Sequence, residues 1–149
     1  MIEHPMPELG FHNPTAFKTS DEANAVMWLR AMMVYSTPAL LHLGRAVPRA
    51  WLADGEEVRI AHVRTRWGGA GAHWVSELSQ GRITLEAELG PGPDAPSFLA
   101  RFRHPSAAAM TSVTVNGEHW SRFDPVRGDV DITGLRGTLR IIASYREPA

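Results

Sequence analysis

Residues 82–89 read Arg-Ile-Thr-Leu-Glu-Ala-Glu-Leu, an alternation that sends Ile83, Leu85, Ala87 and Leu89 to one side and Arg82, Thr84, Glu86 and Glu88 to the other. A half-buried β-strand sorts side chains with that period. Residues 57–65 do the same, with Val58 and Ile60 opposite Arg59, and residues 73–79, 97–103, 110–115, 129–132 and 138–145 are further strand candidates. Between them lie Gln80-Gly81, the Gly90-Pro91-Gly92-Pro93 loop, His104-Pro105, Asn116-Gly117, Arg127-Gly128 and a Gly134 to Gly137 turn. Asn116-Gly117 is the strongest hairpin signal, because both turn positions need positive φ. About seven or eight short strands, spaced about ten residues apart with no helix between them, predict an all-β antiparallel sandwich of jelly-roll type.

One helix stands outside that pattern. Thr19 followed by Glu22 has the form of a capping box, and residues 23–35 then carry a single charge, Arg30, with apolar groups around the whole circumference. Such a helix expects cover on nearly every side. Ser36, Thr37 and Pro38 stop it. The stretch to Phe17 is polar and punctuated by Pro5, Pro7 and Pro14, which predicts an extended arm. The expected division is therefore an arm and helix over residues 1–39 and a sandwich over 40–149.

Composition narrows the function classes. Lys+Arg 15 against Asp+Glu 16 leaves a net charge of -1, which speaks against nucleic-acid binding by bulk electrostatics. Zero cysteines exclude disulfides and thiolate chemistry. Residues 1–10 contain no apolar run of a secretory signal, and no stretch reaches the roughly 18 apolar residues of a membrane span, so no membrane partner is expected and the compartment stays open, with a cytoplasmic location slightly favoured. Phosphate-loop, dinucleotide and nucleophile-elbow motifs are absent from the sequence.

As a set, residues 41–52 (LHLGRAVPRAWL), Asp54-Gly55, Thr65-Arg66-Trp67-Gly68, Arg101 to Pro105 (RFRHP) and Val113 to Gly117 (VTVNG) carry a resemblance. Together they resemble the β-sandwich module that follows the catalytic barrel in bacterial glycoside hydrolases of the (α/α) six-hairpin-barrel type, rhamnosidase-like enzymes among them. The resemblance covers residues 40–145, and residues 10–36 are similar to the end of the preceding barrel with its last helix. It implies a fragment or stand-alone relative of an enzyme's C-terminal region, in which the sandwich braces or docks a catalytic barrel and breaks no bonds itself. The alternatives it leaves are a carbohydrate-binding module and a glycoside hydrolase component active only with a partner chain.

Glycoside hydrolysis needs two carboxyl groups flanking the scissile bond. Glu86 with Glu88 and Glu56 with Glu57 are the close acidic pairs, and both read as solvated carboxylates, so no catalytic residue is assigned. Glu77 is better placed, among Trp74, His73 and Val75, although a salt bridge to an arginine is its simpler fate. For a glycan, Trp67, Trp74 and Trp120 are the candidate stacking platforms, with Glu77 beside them and Trp67 favoured by its neighbours Gly68 and Gly69. Seven histidines show neither i,i+4 spacing nor an H-E-x-x-H motif, so no metal and no cofactor are expected; strands could still gather His62, His73 and His119. Arg45, Arg49, Trp51 and Trp28 are the expected contacts between modules, with an arginine bridging to an acid. A free chain is expected to cover its helix by packing it or by self-association.

Overall fold

The computed structural model describes residues 19–146; the arm expected up to Phe17 lies outside them, as do the side chains of the capping box Thr19 to Glu22. The chain divides into two units at Arg30 and Ala31. Helix α1 spans Thr19–Met33. It ends two residues before the expected stop, because Val34 is buried and leaves the helix to pair with Leu43. The last helical carbonyls are then satisfied from outside: Gly44 N–H donates to Met33 at 2.7 Å and Ala46 N–H to Met32 at 3.0 Å.

The larger unit is an all-β sandwich, as the alternating pattern predicts. Its strands are β1 (Val34–Thr37), β2 (Leu40–Leu43), β3 (Glu57–Thr65), β4 (Gly68–Glu77), β5 (Arg82–Leu89), β6 (Phe98–Arg101), β7 (Met110–Val115), β8 (Glu118–His119), β9 (Phe123–Asp124), β10 (Asp129–Asp131) and β11 (Gly137–Tyr145). One sheet has the order β1-β2-β6-β10-β9, the other β3-β4-β5-β11-β7-β8. Every pairing is antiparallel except β2 with β6, where Leu41, His42 and Leu43 run alongside Phe98, Leu99 and Ala100. The additional strands β1, β2, β8 and β9 are four residues or shorter, too short for a periodicity to register.

In β5 Ile83, Leu85, Ala87 and Leu89 are buried on the inner side and Glu86 and Glu88 are exposed, while Thr84, expected outward, is buried as well. Register carries this inward set across the sheet: Trp74 faces Leu85, and Leu85 faces Ile141. Val34, Leu43, Phe98, Ala100 and Val130 close the core from the other sheet. In β3 a strict alternation would turn His62 inward and Val63 outward. A bulge prevents it: Ala61 and His62 together oppose Gly71, His62 takes a φ of 56°, and Val63 returns to the core beside Ala70.

Two glycines show the difference between a turn that needs positive φ and one that also needs space. Gly134 (φ 86°) has nothing near the place a Cβ would occupy, whereas at Gly128 (φ 76°) that place collides with the carbonyl oxygen of Phe102. Phe102 N–H also donates to the Gly128 carbonyl at 2.8 Å, so neither backbone can withdraw. Gly128→Ala is therefore expected to lose about 3 kcal/mol, and Gly134→Ala about 1 kcal/mol, in urea unfolding followed by far-ultraviolet circular dichroism.

Candidate functional site

Place in the fold decides what the tryptophans can do. Trp74 points inward from β4 and is 0% exposed, so its indole offers no surface to a sugar; this corrects the expectation that it stacks on a glycan. Trp67 and Trp120 are half-buried, and the indole N–H of each is spent on a backbone carbonyl, Thr37 at 3.0 Å and Asp131 at 2.9 Å. Arg122 lies 4.7 Å over the Trp120 ring. Glu77 receives both forks of Arg82, at 2.8 and 3.0 Å, and that hydrogen bonding holds its carboxyl below the usual range. The four candidate sugar-contact residues are thus scattered over a core position, two propped turns and an ion pair.

Arg136 is a residue the sequence reading passed over. From the turn before β11 its guanidinium reaches the carbonyls of Trp67, Gly90, Gly92 and Pro93, lies near Asp94, and stacks over Phe98 at 4.6 Å. It ties the proline-rich loop to the β3–β4 turn. No local motif announces this, because the partners are carbonyls more than forty positions away in the chain.

The outer face of the six-stranded sheet carries a charged rung, Arg59–His73–Glu86–Arg140, read across β3, β4, β5 and β11. The Glu57 carboxylate accepts from the His73 ring at 2.7 Å in the tautomer that carries the proton on Nε2. A depression of about 80 Å³ opens over Gly71, walled by Arg59, His73, Glu86 and Glu88. His62 lines the neighbouring depression, while His119 sits on β8 at the opposite edge of the sheet, so the three histidines are not gathered. Among the described residues no cluster of three His, Asp or Glu side chains is arranged to hold a metal ion.

The outer face of the five-stranded sheet is organised by Asp129. Its carboxylate takes two hydrogen bonds from Arg101, at 2.6 and 2.7 Å, and one from the His42 ring at 3.2 Å, with Arg127 at 3.4 Å. Burial alone would raise the Asp129 pKa; the hydrogen bonds from His42 and Arg101 and their positive field outweigh it and hold the group well below the usual carboxylate value. Arg101 in turn reaches the Arg45 carbonyl at 3.3 Å. Of the residues expected between modules, Arg45 lies 4.4 Å over the Tyr35 ring, Arg49 donates to the His104 carbonyl at 2.6 Å, and Trp51 is 42% exposed. Trp28, expected under cover, is exposed instead, as are Val26, Met27 and Leu29 beside it.

Comparison with known protein families, curated proteins and solved structures finds no match to this chain. The residues themselves therefore carry the functional argument.

Asp129 yields a pH prediction. Its folded pKa lies below the ordinary 3.8, so the stability it contributes is complete above the unfolded pKa and is lost as pH falls through the folded value. Asp129→Asn is expected to cost on the order of 3 kcal/mol at pH 7, because Arg101 loses its partner, and to flatten the decline of stability below about pH 4. Urea denaturation of both proteins between pH 2.5 and 7 measures this.

Proposed function

We propose that the chain is a non-catalytic accessory module of a carbohydrate-active enzyme, whose sandwich braces or docks a catalytic barrel. The observation that carries the reading is the helix. Val26, Met27, Trp28 and Leu29 are 66, 62, 65 and 48% exposed, and four consecutive helical residues point around most of the helix circumference. Apolar surface gains about 25 cal/mol per Å² on leaving water, so a helix exposed in this way favours a surface that encloses it. The end of a helical barrel is such a surface, in keeping with the resemblance of residues 40–145 to the module that follows one.

The carbohydrate-binding alternative has weaker support. A sugar platform needs an indole face free of other duties, and Trp74 is buried while Trp67 and Trp120 prop turns. The glycosidase alternative draws on Glu77, which is engaged by Arg82, and on Glu86 and Glu88, which face solvent.

Sedimentation velocity of the full chain tests the reading. Without a catalytic barrel the chain is expected to self-associate at micromolar concentration through the helix. Met27→Glu with Trp28→Glu should return it to a monomer and shift the sandwich Tm by less than about 2 °C, since surface changes of this kind alter stability by about 0.5 kcal/mol or less. A strict monomer that instead shows a saturable tryptophan-fluorescence response to a glycan, lost in Trp67→Ala, would replace docking with carbohydrate binding.

A further inference from the structure

The C-terminal ends of β2 and β6 lie side by side because those two strands form the parallel pair. Each chain carries arginines as it leaves the sheet. Arg45 follows β2, Arg49 opens the 3-10 turn Arg49–Leu52, Arg101 ends β6, and Arg103 stands two residues beyond. The Nη1 atoms of Arg101 and Arg103 both donate to the Arg45 carbonyl, at 3.3 and 3.4 Å, so two guanidinium groups meet at one oxygen. Arg49 donates to His104 nearby.

Of these four, Arg101 alone has a carboxylate, Asp129. Among the described residues Arg45, Arg49 and Arg103 form no ion pair. Arg49 and Arg103 spend donors on neutral carbonyls, and Arg45 rests on the face of Tyr35. The crowding registers in their neighbours. Burial first, then the charges of Arg49 and Arg101, lower the Arg103 pKa; burial and Arg49 lower that of His104. Tyr145, packed on the His104 ring at 4.6 Å and within the field of Arg49, is 6% exposed, and its hydroxyl has no hydrogen-bond partner. Like charges brought together with backbone oxygens as their acceptors leave most guanidinium donors unspent.

We infer that Arg45, Arg49 and Arg103, with the exposed indole of Trp51, form a docking surface for a carboxylate-bearing face of a folded protein partner. The planar forks of arginine match carboxylates two bonds at a time, and a partner's acids would supply the counter-charge this end of the sandwich lacks. Trp51 stands two residues after Arg49 in the same turn, and arginine with tryptophan is the composition concentrated at the energetic centres of protein interfaces. An acidic polysaccharide offers the same charge and can stack on an indole as well; the grouping of three arginines with one tryptophan, the composition of a protein hot spot, favours a protein surface, and the oligogalacturonate arm below separates the two. The inference deepens the docking reading: it names a face and a partner chemistry, and rests on that reading only for the partner being a folded domain.

Isothermal titration of the full chain at low and at physiological salt tests it, with decaglutamate, oligogalacturonate and inorganic phosphate as probes. Decaglutamate is expected to bind, more weakly as salt rises, and in preference to the other two. Arg49→Ala and Arg103→Ala should each weaken it about tenfold and the double variant about a hundredfold, while Arg59→Ala and Arg140→Ala on the other sheet leave it unchanged. Arg103→Met should hold or raise the Tm, since it removes like-charge repulsion; a purely structural Arg103 would lower it. Absence of decaglutamate binding, equal weakening by Arg59→Ala, a preference for oligogalacturonate or phosphate, or a fall in Tm for Arg103→Met would each overturn the inference. The self-association test rests on Met27 and Trp28 and changes none of these arginines. Failure here with that association intact therefore sinks the acidic partner alone, and loss of both sinks docking itself.

Discussion

The register of β5 between β4 and β11 is the constraint on which the sandwich rests. Leu85 stands opposite Trp74 on one side and Ile141 on the other, and all three are fully buried. A slip of β5 by one residue would turn Glu86 and Glu88 inward in place of Leu85, Ala87 and Leu89 and bring charge into the core. The bulge at Ala61 and His62 extends the same constraint to the sheet edge, where it turns Val63 inward. With the inner faces settled, the charged rungs of the larger sheet have one place to go, the outer face.

Buried or half-buried polar groups are mostly spent on holding loops and sheets together. Arg136 gathers carbonyls from the proline-rich loop, Arg82 holds Glu77, the indoles of Trp67 and Trp120 prop turns, and Asp129 joins β2, β6 and β10 through His42 and Arg101. Each of these groups has a specific partner within the sandwich, and that engagement occupies donors or acceptors that a ligand would otherwise meet. Among the described residues few buried polar side chains of the sandwich are left idle, the indole N–H of Trp74 and the hydroxyls of Thr84 and Tyr145 excepted.

Two surfaces break that rule in different ways. The helix presents apolar side chains to water, an energetic deficit that any sufficiently apolar surface can relieve. Arg45, Arg49 and Arg103 present charge without counter-charge, which an anionic surface relieves with geometric demands that the apolar helix does not make. A module that adheres through the first and selects through the second would obtain affinity and register from separate parts of its chain.

The sequence alone determined the fold class and most of the longer strands, because alternation and turn residues are local properties: residues 82–89 sort their side chains whatever lies across from them, and Asn116-Gly117 adopts positive φ at both positions. It also indicated that Glu77 would meet an arginine. What only the tertiary structure decided depends on partners distant in the chain. Val34 leaves the helix because Leu43 is there to pair with it. Trp74 is core because alternation along β4 turns it inward, while Trp67 and Trp120 stay half-buried in the turns they prop, a matter of place in the fold and not of residue type. The convergence of Arg45, Arg49, Arg101 and Arg103 follows from a parallel pairing of two four-residue strands more than fifty positions apart, a contact between segments too short for either to announce the other.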